Sequence, residues 1–194
     1  MTREHGAAVL VPIKAFSQAK FRLASALAAG PRAALARDMA ERVLEAAGEL
    51  PVTVVCEDHD VAAWARERRA SVVWARGLGL NGAVELGVET LGEQGFRQVI
   101  VAHADLPLAS ELSGLADFPG ITLVPDRRHD GTNVACIPTR AGFRFGYGPG
   151  SFARHRSEAE RLKVPLRVLR EPLLAWDVDL PEDLDFSSSA ATRH

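Results

Sequence analysis

Short apolar runs alternate with longer stretches of helical period along most of this chain, and few folds accept that alternation. Ala7–Val11, Val52–Cys56, Ser71–Trp74, Gln98–Ala102 and Ile121–Val124 read as strands, with helices at Pro31–Ala47, Val61–Arg69 and Asn81–Gln94 between them. Strands that are apolar almost throughout, each followed by a helix, predict an α/β fold with a mostly parallel sheet covered on both faces. Beyond residue 125 the order loosens into a polar loop, Pro125–Gly131, an apolar run, Val134–Ile137, and a glycine and aromatic stretch, Phe143–Gly150. Ser110 is expected to cap a short helix to Ala116, and Ser151 a longer one to Leu162. Leu166–Leu169 and Trp176–Asp179 read as late strands, and Pro181-Glu182-Asp183 as the start of a last helix, where Asp183 suits the helix dipole. One domain is expected over 1–186, and the Ser-rich segment 187–194 is expected to be a disordered tail.

Charge narrows the function. With 23 Lys and Arg against 25 Asp and Glu, a net charge of −2 leaves no basic stripe for nucleic acid or an anionic membrane. No apolar run approaches the roughly 18 residues of a membrane span, and the first residues lack the order of an export signal, so a cytoplasmic protein is expected. Only three of the 23 cations are lysine, Lys14, Lys20 and Lys163, as GC-rich coding would produce. Two of those three stand six residues apart in one loop. Cys56 and Cys136 lie in apolar runs without metal-site spacing and read as core.

Four segments could carry chemistry. Lys14, Lys20 and Arg22 follow the first strand and could wrap a triphosphate, although the same spacing also suits a solvated loop. Asp105 ends the fourth strand in His-Ala-Asp-Leu-Pro, either as a turn cap or as a ligand for Mg²⁺. Asp177 and Asp179 flank Val178, so a strand there would put both carboxylates on one face beside Asp105. Gly77-Leu78-Gly79-Leu80-Asn81-Gly82 has the G-x-G-x-x-G spacing of a dinucleotide turn, which keeps open an NAD-linked oxidoreductase. Against that reading, the turn follows the third strand instead of the first and leaves the lysines without a role. A non-catalytic nucleotide-binding module is a further alternative. Lastly, Asp130-Gly131-Thr132-Asn133 and Gly148-Pro149-Gly150-Ser151 offer backbone N–H groups to an anion, with His155 reading as a packing or surface residue.

In order and over nearly the whole chain, VPIKAFSQAKFRL, GLN at 79–81, HADLPL, GTN at 131–133, GPGSFARH and WDVDLPEDL resemble the guanylyltransferases of coenzyme F420 biosynthesis. The resemblance implies a nucleotide-diphosphate-sugar transferase fold, a single three-layer Rossmann-like sheet. It implies transfer of GMP from GTP to phosphoenolpyruvate, giving enolpyruvyl-2-diphospho-5'-guanosine and pyrophosphate, or else to 2-phospho-L-lactate; the lysine-poor composition favours the former. By the same resemblance Lys14, Lys20 and Arg22 hold phosphates, and Gly79, Leu80 and Asn81 recognise base and ribose. Thr132, Asn133, Gly148 and Ser151 hold the acceptor acid, and Asp105, Asp177 and Asp179 are the magnesium carboxylates. Lys20 is expected at the α-phosphate, with Arg22 further along the leaving group. Two departures stand out: Phe21 replaces a serine common in the family, and Gly146-Tyr147 lengthens the loop before GPGS. The partners expected are these small molecules, and a sheet of this size is compatible with a homodimer.

Overall fold

The computed structural model describes residues 5–185. The expected tail at 187–194 lies outside the described residues. Seven strands, β1 (His5–Pro12), β2 (Val52–Cys56), β3 (Ser71–Trp74), β4 (Phe96–Ala102), β5 (Ile121–Pro125), β6 (Thr132–Pro138) and β7 (Leu166–Val168), form one sheet in the order β3-β2-β1-β4-β6-β5-β7. Four helices cover it: α1 (Ala29–Ala46), α2 (His59–Glu67), α3 (Gly79–Glu93) and α4 (Ser151–Leu162). All pairings are parallel except those of β6 with β4 and with β5.

β1 shows why the sheet sits in the middle. Val9 and Val11 point into a core with Ala36, Ala40 and Val43 of α1 and Trp64 of α2, while Ala8 and Leu10 point to the other side, against Val84, Val88 and Leu91 of α3. Successive strand residues face opposite ways, so a run with no polar residue demands helices on both faces. A third cluster, Leu23, Met39 and Val178, ties the loop after β1 to the segment at 176–179. At the far edge, Gly120 passes so close to Pro165 that a Cβ there would lie 2.1 Å from the Pro165 carbonyl oxygen, and Ile121 N–H donates to that same oxygen at 2.8 Å.

Several boundaries move for local reasons. α2 begins two residues before the expected Val61 because Asp58 caps it, its carboxylate accepting from Val61 N–H at 3.0 Å. α1 begins at Ala29, which places Pro31 inside the first turn, where a missing N–H costs nothing. Ser110 caps no helix; a 3₁₀ turn runs instead from Ser113 to Asp117. Trp176–Asp179 is not a strand. It is irregular backbone held to the sheet edge by Val178 N–H donating to the Asp105 carbonyl at 3.2 Å. Pro181–Asp185 forms the expected short helix, as a 3₁₀ turn. Cys56 and Cys136 are buried free thiols, as read from their apolar runs.

Candidate active site

Strand order reverses between β1 and β4: the chain steps from β1 outward through β2 to β3 and then returns to lay β4 on the other side of β1, and open α/β sheets bind ligands in the crevice at such a point. A cleft of about 620 Å³ lies there. Its walls include Lys14, Lys20 and Arg22 after β1, Asp105 after β4, Thr132 and Asn133 at the start of β6, Gly148 and Ser151 before and in α4, and Asp177 and Asp179. Of the GLN segment only Leu80 reaches it.

The cationic loop owes its shape to three apolar anchors. Ile13, Phe16 and Leu23 are buried, and Phe16 packs edge-on against Trp64 with ring centroids 5.2 Å apart. Two 3₁₀ turns, Phe16–Gln18 and Phe21–Leu23, flank Lys20, which adopts a left-handed conformation with φ 56°. That turn sends the Lys20 ammonium inward, 2.5 Å from Asp105 Oδ2 and 3.1 Å from Asp179 Oδ1. Arg22 stays exposed, 3.6 Å from Asp179 Oδ2, and Phe21 is 77% exposed at the cleft mouth.

Burial opposes charge on both Lys20 and Asp105, yet their mutual attraction prevails, holding the Lys20 ammonium above its ordinary range and the Asp105 carboxyl below. Asp177 has no such cation and rises to about 6, through burial first and then the negative charges of Asp105 and Asp179. Asp105 Oδ1 and Asp177 Oδ1 are buried without hydrogen-bond partners. Among the described residues no three His, Cys, Asp or Glu side chains form a ready-made metal cage. Mg²⁺ is commonly held by one or two carboxylates completed by substrate phosphates, and two orphaned carboxylate oxygens fit that donor set.

Asp183 does more than face a helix dipole. Fully buried, it accepts from Asp179 N–H at 2.8 Å and Leu180 N–H at 2.7 Å through Oδ2, and from the guanidinium groups of Arg127 and Arg128 through Oδ1. Arg127 also stacks over Trp176 at 4.3 Å and donates to the Asp177 carbonyl at 3.2 Å. This knot, together with buried Val178, turns both Asp177 and Asp179 into the cleft without any strand.

The segments at 130–133 and 148–151 are cross-braced. Ser151 is not the cap of α4: Gly150, left-handed at φ 72°, holds that position, and Ser151 is the first helical residue, its Oγ accepting from Thr132 N–H at 3.1 Å. Three N–H groups around the helix start already have partners: Gly150 donates to Asp130 Oδ2, Ser151 to the Gly148 carbonyl and Phe152 to the Asp130 carbonyl. Asn133 donates through Nδ2 to the Leu174 carbonyl at 3.0 Å, which commits its amide to the scaffold. Asn81 accepts from Tyr147 N–H at 2.7 Å. His155 is fully buried and bonded to Thr132 and Gly146, a packing histidine with defined partners.

The cleft also contains residues that sequence reading did not single out for it, Asp126, His103 and Tyr147. Asp126 shapes the GTN loop by accepting from Asp130 N–H and Gly131 N–H, both at 2.9 Å, an Asx turn that an Asp four residues before Asp130 could have signalled. The His103 and Tyr147 rings meet at a 51° tilt with centroids 4.8 Å apart, and nothing in their spacing along the chain announces that contact. The dinucleotide reading fails here. Gly77–Gly82 follows β3, an edge strand away from the crevice, and the Gly77 N–H that would face a pyrophosphate donates to Glu57 at 2.8 Å.

The model of the family described as "Guanylyl transferase CofC like" matches residues 7–186. The chain belongs to that family. It is 37% identical over 185 residues to the phosphoenolpyruvate guanylyltransferase of Sphaerobacter thermophilus, covering 91% of this chain and 89% of that one. It is 26% identical over 182 residues to the 2-phospho-L-lactate guanylyltransferase of Methanocaldococcus fervens, covering 91% and 82%. Among solved structures, a protein described as a nucleotide-diphospho-sugar transferase, from Desulfovibrio desulfuricans G20, superposes with a TM-score of 0.75 at 14% identity, over 97% of this chain and 88% of that one. This chain is therefore a guanylyltransferase with a nucleotidyltransferase-type sheet, and no helix among its described residues is long and apolar enough to cross a membrane.

Proposed function

We propose that this guanylyltransferase transfers GMP from GTP to the phosphate of phosphoenolpyruvate in coenzyme F420 biosynthesis. The observation that carries the reading is the meeting, at the sheet's switch point, of a lysine-bearing loop with carboxylates from two other segments, in a chain 37% identical to a protein named for that reaction. An acceptor phosphate oxygen attacks the α-phosphorus of GTP; the bond from that phosphorus to the β-phosphate oxygen breaks, and pyrophosphate leaves on the opposite side. The nucleophile is already ionised at neutral pH, so no side chain has to remove a proton. Positioning and charge neutralisation carry the rate.

Lys14, Lys20 and Arg22 neutralise the phosphates, with Lys20 exchanging Asp105 and Asp179 for an α-phosphate oxygen. Asp105, Asp177 and Asp179 would hold Mg²⁺, which when bound supplies further neutralisation of phosphate charge. Leu80, with Gly79 and Asn81 behind it, borders the nucleoside, while Thr132, Asn133, Gly148 and Ser151 border the acceptor. An assay with GTP, Mg²⁺ and either phosphoenolpyruvate or 2-phospho-L-lactate tests the reading. Pyrophosphate and a guanylated acid should form with phosphoenolpyruvate. Preference for 2-phospho-L-lactate would reassign the acceptor, and no release with either would overturn the reading.

A further inference from the structure

Gly146 N–H donates to His155 Nε2 at 2.9 Å. A backbone amide nitrogen can only donate, so Nε2 must offer its lone pair and carries no hydrogen. Burial, with smaller contributions from His103 and Arg154, holds the His155 ring down at about 4, so at neutral pH it is uncharged and its single proton lies on Nδ1. Nδ1 lies 3.0 Å from Thr132 Oγ1. The ring cannot turn over to swap these roles: Phe143, Phe145 and Tyr147 enclose it, with centroids 5.6, 6.0 and 4.9 Å away. Thr132 Oγ1 therefore accepts from the ring. No other described group bonds to that oxygen, and Thr132, itself 2% exposed, lines the cleft, so the hydroxyl hydrogen is free to turn toward a bound oxygen there.

A threonine hydroxyl ordinarily rotates and can present either a hydrogen or a lone pair. For an anionic acceptor the difference is one of sign, because a lone pair would repel it. We propose that His155 is a positioning residue that fixes the Thr132 hydroxyl as a donor toward an anionic oxygen of the acceptor acid. The inference rests on the acceptor reading given above and deepens it. His155 touches no reacting atom and acts only through Thr132.

Kinetics and ring spectroscopy test it together. Thr132→Val and His155→Leu should each raise the acceptor KM by about tenfold, the size of a lost hydrogen bond to a charged group, with the GTP KM within about twofold of wild type. Thr132→Ser, which keeps the hydroxyl, should retain most of the acceptor affinity that Thr132→Val loses, and His155→Asn, which keeps a donor near the Nδ1 position, should recover most of the loss seen in His155→Leu. The double variant Thr132→Val/His155→Leu should be no worse than either single one, since the histidine has nothing to direct once the hydroxyl is gone. Additive losses, or equal rises in both KM values, would mean a merely structural histidine and overturn the proposal. The ¹⁵N spectrum of the wild-type ring, recorded without substrates, should show the proton on Nδ1; a proton on Nε2 overturns the proposal even if the transfer reaction is as described. Should neither acid support pyrophosphate release, the acceptor reading fails while the ring result still stands by itself. If His155→Leu does not fold, the two Thr132 variants and the spectrum decide.

Discussion

Lys20 shows how a single side chain can be read from its rarity and still surprise. A chain that uses arginine for 20 of its 23 cations keeps a lysine here, and the structure places it in a left-handed turn that costs a non-glycine residue roughly 1–2 kcal/mol. Its compact ammonium fits between Asp105 and Asp179, where a planar guanidinium would not. Lys20→Ala should lower GTP-dependent pyrophosphate release by about 100-fold or more, measured as kcat/KM. Asp183 was not legible in the same way. Its sequence context, Pro-Glu-Asp, is that of any helix start, and only the fold brings Arg127 and Arg128 to it. Burial works to raise its carboxyl, but those arginines and two backbone donors hold it at about 2. Since the unfolded value is about 3.9, this group adds stability above pH 4 that is lost as pH falls toward 2, about 2 kcal/mol in all. Acid unfolding of Asp183→Asn, followed by circular dichroism, should show a flatter decline over that interval, from a lower plateau at pH 7.

Among the elements, those with a strict period were legible and those held by side chains were not. β2 and β3 lie where their β-branched runs predict, β2 buried over four of its five residues and β3 half-exposed at the sheet edge. The segment at 176–179 has the alternation of a strand, yet no neighbouring strand pairs with it; Val178 supplies burial and Asp183 supplies the hydrogen bonds that a ladder would have given. The α4 start misled for a related reason: Ser151 was spent bracing Thr132, which left Gly150 to make the turn. At the β5–β7 edge, Gly120→Ala should part the strands by driving a methyl into the Pro165 carbonyl, a rigid neighbour with no rotamer to yield. The expected loss is about 2–3 kcal/mol in a urea titration, with an unchanged m-value.

For the whole molecule, the sheet's topology decides where function sits more firmly than any motif. The alternation of runs foretold a mostly parallel α/β sheet, and the switch between β1 and β4 then selects which strand ends can share a ligand. It could not foretell that β6 runs antiparallel between β4 and β5, since a single strand's pattern does not record its direction. Because Lys20, Asp105, Thr132 and Asp179 come from four separate stretches of chain, nothing short of the complete fold assembles them. A ligand that binds only the native state stabilises it by about 2.7 kcal/mol at one hundred times its Kd. GTP with Mg²⁺ at that excess should therefore raise the melting temperature by about 6 °C for a domain of this size, read by scanning fluorimetry. For the GTP site proposed above, the scattered origin of the cleft makes nucleotide a gauge of foldedness: a variant that populates unfolded chain gives up apparent affinity in proportion, and nucleotide in excess draws it back to the fold.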